Sequence, residues 1–374
     1  MEKQNKVLNK IKNSLKHGNE GQLGVKKNDE CYTDMQDILN ELSQWAALGK
    51  FQGKKIICPC DWDVVKDEPI YSITITYKDP GVEVTGNSVY KAVKSVEYVK
   101  LFDVDGESTE EHIELAEDEI EDFLRDKLTC NFIRTFTQNA RAWGIQSITA
   151  SGYNPAIGKG VKFQDVDYSQ YDVCVTNPPF SLYGEFMKTI VGKIDFIVLA
   201  PFLNRCHPCI GLPLMLKQAY LGFGIELHMT FDNPTKENNY SGTKIVNCDW
   251  ITSFPEAQQE RNAAHFKSGI KYEIYADEYE LMVNMTMKDG THPIRVSMST
   301  YPEDFDGWMF ASMGVLDNLD QDTYEWYSTR CVKYFNSTNP GANPFAHKLS
   351  DEMYRRTDGK IGFHGIVFRK KPTT

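Results

Sequence analysis

The sequence has no apolar run long enough to cross a bilayer. A run such as residues 196–203 ends after eight residues, and a spanning helix needs about 20. The amino terminus has no apolar stretch of the kind found in secretory signals; residues 1–27 are basic and rich in Lys and Asn. Cysteines do not form a disulfide framework, because nine, an odd number, are scattered over 374 residues. A reduced, cytoplasmic protein is therefore expected. The sequence contains no internal repeat. Positive charge is not in excess, and the formal net charge is −11. A negative chain speaks against a polyanionic partner at first sight, because phosphates want a basic face. The distribution weakens that objection. Residues 103–126 hold twelve acidic residues and one basic one, a net −11, so the remainder is neutral and can carry a basic cleft. The acidic run itself reads as a solvated helix face or a mobile loop.

What the chain does contain is an alternation of short apolar strands and amphipathic helices. After the basic arm at residues 1–27, expected to be mobile, "NDECYTDMQDILNELSQWAALG" predicts a helix. Thr33 serves as N-cap, Gln36 completes a capping box, and Ile38, Leu39, Leu42 and Trp45 recur at helical spacing. "KKIICPCDWD" reads as a buried strand ending near Cys60 and Asp61. A β-rich and acidic insertion follows at about residues 64–128. A helix over residues 132–143 leads into the strand "IQSITAS", then a short strand "VKFQDVD" and a longer one, "YDVCVT". Residues 181–191 are helical and "IDFIVLAPF" is another buried strand. Nearly all-apolar strands alternating with helices predict an α/β fold, a parallel sheet covered on both faces. This gives a domain over residues 28–203. Residues 204–374 are more irregular and read as mixed α/β, partly completing the sheet.

The chemistry concentrates at "DVCVTNPPFSLYGEF". A buried strand stops on Asn177, Pro178, Pro179 and Phe180, and a helix follows. Proline supplies no N–H, so the ladder ends there and the backbone is stiff. Ligands of doubly wound sheets bind at the carboxyl ends of strands, which is where this turn lies. The Asn177 amide oxygen and the Pro178 carbonyl can together accept both hydrogens of one planar amino group. That draws electron density onto the nitrogen and favours its pyramidal, nucleophilic form. Phe180 can stack on the ring carrying the amine. Positioning against a methyl donor supplies much of the remaining acceleration.

This turn resembles the signature of S-adenosylmethionine-dependent methyltransferases that act on planar amino groups: adenine-N6, cytosine-N4 and glutamine side chains. The segments "NDECYT", "IICPCDWD", "CNFIRTF", "SGYNP", "FQDVDYSQYDVCVTNPPFS", "NCDWITSFPEAQQERN" and "YPEDFDGWMFASMGVLDNLD" occur in an order similar to the EcoRI-type adenine-specific DNA methyltransferase family. The resemblance runs from about residue 29 to the "GKIGFHGIVFRKK" terminus. It implies a Rossmann-like class I methyltransferase sheet with helices on both faces, followed by a DNA-recognition region over 204–374. It implies S-adenosyl-L-methionine as cofactor and double-stranded DNA as partner, with the target adenine rotated out of the duplex. It allows a cognate restriction endonuclease for the same site, bound or unbound. Cytosine-N4 or protein glutamine methylation, or a catalytically dead DNA-binding homologue, are the alternatives.

The resemblance also assigns residues. Asn177, Pro178, Pro179 and Phe180 would be catalytic. Tyr32 and Thr33 would pack on the methionine part of the cofactor. The loop with Pro59, Cys60 and Asp61 occupies the place of the usual glycine-rich turn but has no Gly-x-Gly. Asp61, with Asp63 as second choice, would hold the cofactor amino group. Asn131 and Phe132 would line the pocket. Ser151 stands where an acid usually holds the ribose, and Asp165 where an acid meets the adenine amine. Lys236, Arg261, Arg355, Arg356 and residues 369–371 are candidates for phosphate contact. The pairs Cys58 and Cys60, and Cys206 with His207 and Cys209, invite a zinc reading. Cys-x-Cys is a poor knuckle and free cysteines are often plain core residues, so no metal is expected.

Overall fold

The computed structural model describes residues 32–61, 70–79, 88–104, 107–154, 159–225, 227–232, 243–264, 279–283, 285–331, 344–345 and 365–372. The basic arm at residues 1–27 lies outside them, as do Asp63, Lys236, Arg355 and Arg356. The chain forms two compact units. One is drawn from Lys27–Phe202 and Leu221–Phe254, the other from Leu203–Tyr220 and Pro255–Thr374. Among the described residues no helix is long and apolar enough to cross a membrane.

The first unit is built on a large mixed sheet with helices. Its strands are β1 (Tyr32–Thr33), β2 (Lys55–Cys58), β3 (Ile70–Tyr77), β4 (Val93–Val104), β5 (Glu107–Glu114), β6 (Ser147–Ser151), β9 (Val173–Thr176), β10 (Asp195–Pro201), β12 (Leu227–Asp232) and β13 (Thr243–Thr252). They lie in the order β1-β12-β13-β10-β9-β2-β6-β3-β4-β5. The short β11 (Tyr220–Leu221) pairs with β13, and β7 (Tyr153–Asn154) with β8 (Lys159–Gly160) forms a separate ribbon. Strands β10, β9, β2 and β6 are parallel. Their inner residues, Ile56 to Cys58, Val173 to Thr176 and Phe196 to Ala200, are buried without alternation, so both faces of the sheet are covered.

The sheet is not wholly parallel, in contrast to the sequence expectation. β3 runs antiparallel to β6, and β3, β4 and β5 form a meander beyond it. β13 is antiparallel to both β10 and β12, so β12 points the same way as β10. Apolar runs report burial on two faces, and that is blind to strand direction. Residues 161–167, read as a strand, are turn: Asp165 N donates to Lys162 O (2.9 Å). The place beside β6 is taken by β3 instead. The acidic run is also more regular than a loop. Its first part is the edge strand β5 and its second the helix α2 (Glu117–Asp126), whose Ile120, Phe123 and Leu124 are buried while its acids face water.

Helix α1 (Met35–Ala47) begins one residue later than its sequence suggests. Asp34, not Thr33, is the N-cap, its carboxylate accepting from Gln36 N at 2.8 Å. Asp34 is as good a cap as Thr33, and this frees Thr33 to join β1, opposite Phe231. Ile38, Glu41, Leu42 and Trp45 make the buried face. Buried Glu41 accepts from Trp45 Nε1 (2.7 Å), Phe223 N (3.1 Å) and Gly224 N (2.7 Å), which pins the turn leading into β12. α1 packs on α3 (Asn131–Trp143). α3 is closed by Gly144 in the left-handed region, at φ 66°. α4 (Tyr183–Ile190) packs on β10.

The second unit has a four-stranded sheet, β14 (Ile294–Arg295), β15 (Met309–Ser312), β17 (Gly365–Lys370) and β16 (Tyr324–Ser328), in that order. Met285, Met287, Trp308, Phe310, Phe345 and Val367 form a core cluster. Helices α5 (Pro208–Met215) and α6 (Glu256–Ala264) belong to this unit. The candidate phosphate ligands at its carboxyl end are engaged internally. Arg369 bonds Glu325 (2.6 Å) and stacks over Trp308, Lys370 pairs with Asp306 (3.5 Å), and Lys371 donates to the carbonyls of Gln321 and Asp322. Arg205 is fully buried and paired with Asp317. Breaking a buried ion pair by removing one partner is costly, because the remaining charge stays away from water. Asp317→Ala should therefore lose about 3–5 kcal/mol of stability in equilibrium urea unfolding.

Candidate active site

Every strand from β3 to β6 lies on one side of β2, and β9 to β13 lie on the other. The order of the sheet therefore reverses between β2 and β9, two parallel neighbours. Such a reversal opens a crevice outside the carboxyl ends of the two strands. Asp61 follows β2 and Asn177 follows β9, so both stand at this crevice.

Asp61 is the hub of a hydrogen-bonded group. Its backbone N donates to the carbonyl of Ser151, the last residue of β6, at 3.0 Å. Its Oδ2 accepts from Thr176 Oγ1 at 3.1 Å and its Oδ1 from Cys130 Sγ at 3.4 Å. Burial pushes its carboxyl up to about 7, although the bonds from Cys130 and Thr176 pull the other way. The nearby thiols of Cys58, Cys60, Cys130 and Cys174 are pushed well above their usual range, chiefly by burial and then by the Asp61 charge. They stay neutral near pH 7, so Asp61 is the member of this group that titrates there. Ser151 Oγ is buried and has no hydrogen-bond partner among the described residues.

A second group centres on Thr33, a buried residue. Its carbonyl accepts from Asn131 Nδ2 at 2.9 Å, and its Oγ1 accepts from Asn177 Nδ2 at 3.2 Å. Three residues from β1, the start of α3 and the end of β9 are thus tied together. Thr176, adjacent to Asn177, links this group to Asp61. Beyond Asn177, Pro178 is buried, and Pro179 and Phe180 are half-buried. The Pro179 carbonyl accepts from Leu182 N at 3.0 Å. That bond closes the tight turn entering α4.

The sequence-predicted residues fall into two sets. Thr33, Asp61, Asn131, Ser151 and Asn177 come together around the β2/β9 crevice. Pro59 is buried and Cys60 half-buried in the turn before Asp61. Tyr32 pairs through its backbone with Asp232. Phe132 is buried with its ring edge-on to Trp250 at 6.2 Å, a core contact. Asp165 is exposed on its turn, and no described contact joins it to Asp61 or Asn177. Two residues escaped the sequence reading, Thr176 and Cys130. Each is a plain core residue by type, and each sits directly beside a recognised one, Asn177 and Asn131. Position next to a motif was the available signal.

Of the residues that invite a zinc reading, Cys58 and Cys60 lie in the first unit, and Cys206, His207 and Cys209 lie in the second. His207 caps α5, its Nδ1 accepting from Cys209 N at 3.3 Å. Among the described residues no group of three or more His, Cys, Asp and Glu is placed to hold a metal ion. Comparison with protein-family models, with curated proteins and with solved structures gives no match.

Proposed function

We propose that the chain is an S-adenosylmethionine-dependent methyltransferase of the EcoRI-type family, acting on the N6 amine of adenine in double-stranded DNA. The observation that carries this reading is the Asn177-Pro178-Pro179-Phe180 turn at the carboxyl end of β9, across the switch point from Asp61. The order β12-β13-β10-β9-β2-β6, with β13 alone reversed, supports it as well. We read these six strands as part of a Rossmann-like class I methyltransferase sheet, with the antiparallel β3, β4 and β5 as an addition beyond β6.

The residues around the crevice fit the cofactor. Asp61 offers a carboxylate for an ammonium group, and the buried Ser151 hydroxyl offers an unused hydrogen-bonding group for a ribose. The missing Gly-x-Gly does not count against the fit. The EcoRI-type family looks similarly degenerate at that loop, so the departure does not weigh against it. Bound there, the cofactor would supply an electrophilic methyl group. The chain supplies position and polarity. Asn177 Oδ1 and the Pro178 carbonyl accept the two amine hydrogens, which keeps electron density on the nitrogen. The Pro179 carbonyl is already bonded to Leu182 N, so Pro178 is the better placed of the two. Phe180 offers a ring face to the extruded base. Unstacking that base costs a few kcal/mol, which contacts to the duplex must offset.

The test is incubation of the purified protein with duplex DNA and labelled cofactor, followed by nucleoside analysis. Label in N6-methyladenine is expected. Label in N4-methylcytosine would reassign the base, and label in protein glutamine the substrate class. Cofactor binding without transfer to any substrate would make the chain a dead homologue.

A further inference from the structure

We infer that Thr33 is a positioning residue that holds the Asn177 side chain in place at the crevice. The inference rests on the methyltransferase reading above and assigns Thr33 a role different from cofactor packing. An asparagine amide has two similar ends, and only one of them suits this chemistry. With Oδ1 toward the substrate, Asn177 accepts a hydrogen of the amine. Turned over, it would present Nδ2, a donor, to another donor, and the reaction would lose its acceptor.

Behind the amide the protein places the hydroxyl of Thr33. Nδ2 of Asn177 donates to Thr33 Oγ1 at 3.2 Å. Thr33 is only 3% exposed, so water does not compete for this bond, and the bond restrains the movement of the amide. Thr33 is itself held on both sides. Its backbone is paired opposite Phe231 in β1, and its carbonyl receives Asn131 Nδ2 at 2.9 Å. Asn131 opens α3, whose buried Phe132, Ile133 and Phe136 anchor it in the core. The line Asn131, Thr33, Asn177 thus transmits the rigidity of a packed helix to one amide at the crevice. Thr33→Val keeps the shape and removes the hydroxyl. Thr33→Ser keeps the hydroxyl.

The experiment compares these variants with wild type in two measurements. In steady-state methylation of duplex DNA at saturating cofactor, Thr33→Val should lower kcat about tenfold, the size of one hydrogen bond, with cofactor Kd little changed. Thr33→Ser should recover most of that loss. In ¹H–¹⁵N spectra, the Asn177 side-chain NH₂ pair, assigned by its loss in Asn177→Asp, should shift in Thr33→Val and return toward wild type in Thr33→Ser. A Thr33→Val enzyme with raised cofactor Kd and unchanged kcat would overturn the proposal in favour of a cofactor contact. Unmoved Asn177 NH₂ signals would overturn it as well. Should wild type transfer no methyl to DNA, the methyltransferase reading falls, and the spectra still decide whether Thr33 holds Asn177.

Discussion

Asn177→Ala should abolish methyl transfer and leave the cofactor in place. Expected is a fall in kcat of about 10²–10³, the cost of removing one preorganised hydrogen-bonding group from a site where charge develops. The reason is the position of the residue. Asn177 stands at the end of β9, and its amide is tied to Thr33 rather than to Asp61. The Asp61 group keeps its bonds from Thr176 and Cys130 when the amide is removed. Cofactor affinity should therefore hold within a factor of about 3, as for an interaction made only in the transition state. Equilibrium titration with S-adenosylmethionine and single-turnover methylation read the two quantities separately. A fully active Asn177→Ala enzyme would remove the chemical basis of the assignment. A large loss of cofactor binding would place Asn177 in the wrong half of the site.

The sequence announced this turn because proline is a local signal. Two consecutive prolines must end a ladder wherever they stand, so the strand end could be placed to the residue. The helix that follows was equally legible, since Phe186, Met187 and Ile190 repeat at helical spacing and are buried in α4. The direction of neighbouring strands was not legible. Ile73 and Ile75 of β3 look like any buried strand residues, and only pairing with β6 over a long loop makes that strand antiparallel. The start of α1 turned on two adjacent cap-capable residues, Thr33 and Asp34. Local propensity could not choose between them, and tertiary pairing of Thr33 with Phe231 did. Residues 161–167 failed for a related reason. Val161 and Phe163 alternate there with polar residues, but the open edge beside β6 was taken by a distant segment. Asp61 was found from its place after a strand. Its bonds to Thr176 and Cys130, 115 and 69 residues away, could come only from the folded chain.

Asp61→Asn should weaken S-adenosylmethionine binding about 30-fold or more at pH 8, the cost of truncating one partner of a buried charge pair at about 2 kcal/mol. The effect should depend on pH in a direction that burial dictates. Burial raises the Asp61 carboxyl to about 7. Below that pH the unliganded protein holds it neutral, and a ligand ammonium must first displace a proton. Wild-type affinity should therefore rise with pH up to about 7 and level off above it. The variant, with nothing to deprotonate, should lack that rise, and the two proteins should converge as the pH falls toward 5.5. Titrations in buffers of different ionisation enthalpy should show proton release on binding near pH 7 in wild type only. Stability moves the opposite way. Between the ordinary aspartate value of 3.8 and about 7, the native state binds more protons at Asp61 than the unfolded chain does. Its contribution is thus present at low pH and lost as pH rises through that window. Asp61→Asn should remove this loss, so the cofactor-free variant should melt above wild type at pH 8 although it binds the cofactor worse. A site built to take a ligand explains that combination, since the isolated fold gains nothing from a desolvated carboxylate at the mouth of its sheet. Equal melting temperatures and a wild-type affinity independent of pH would assign Asp61 to the framework of β2, β6 and β9 instead.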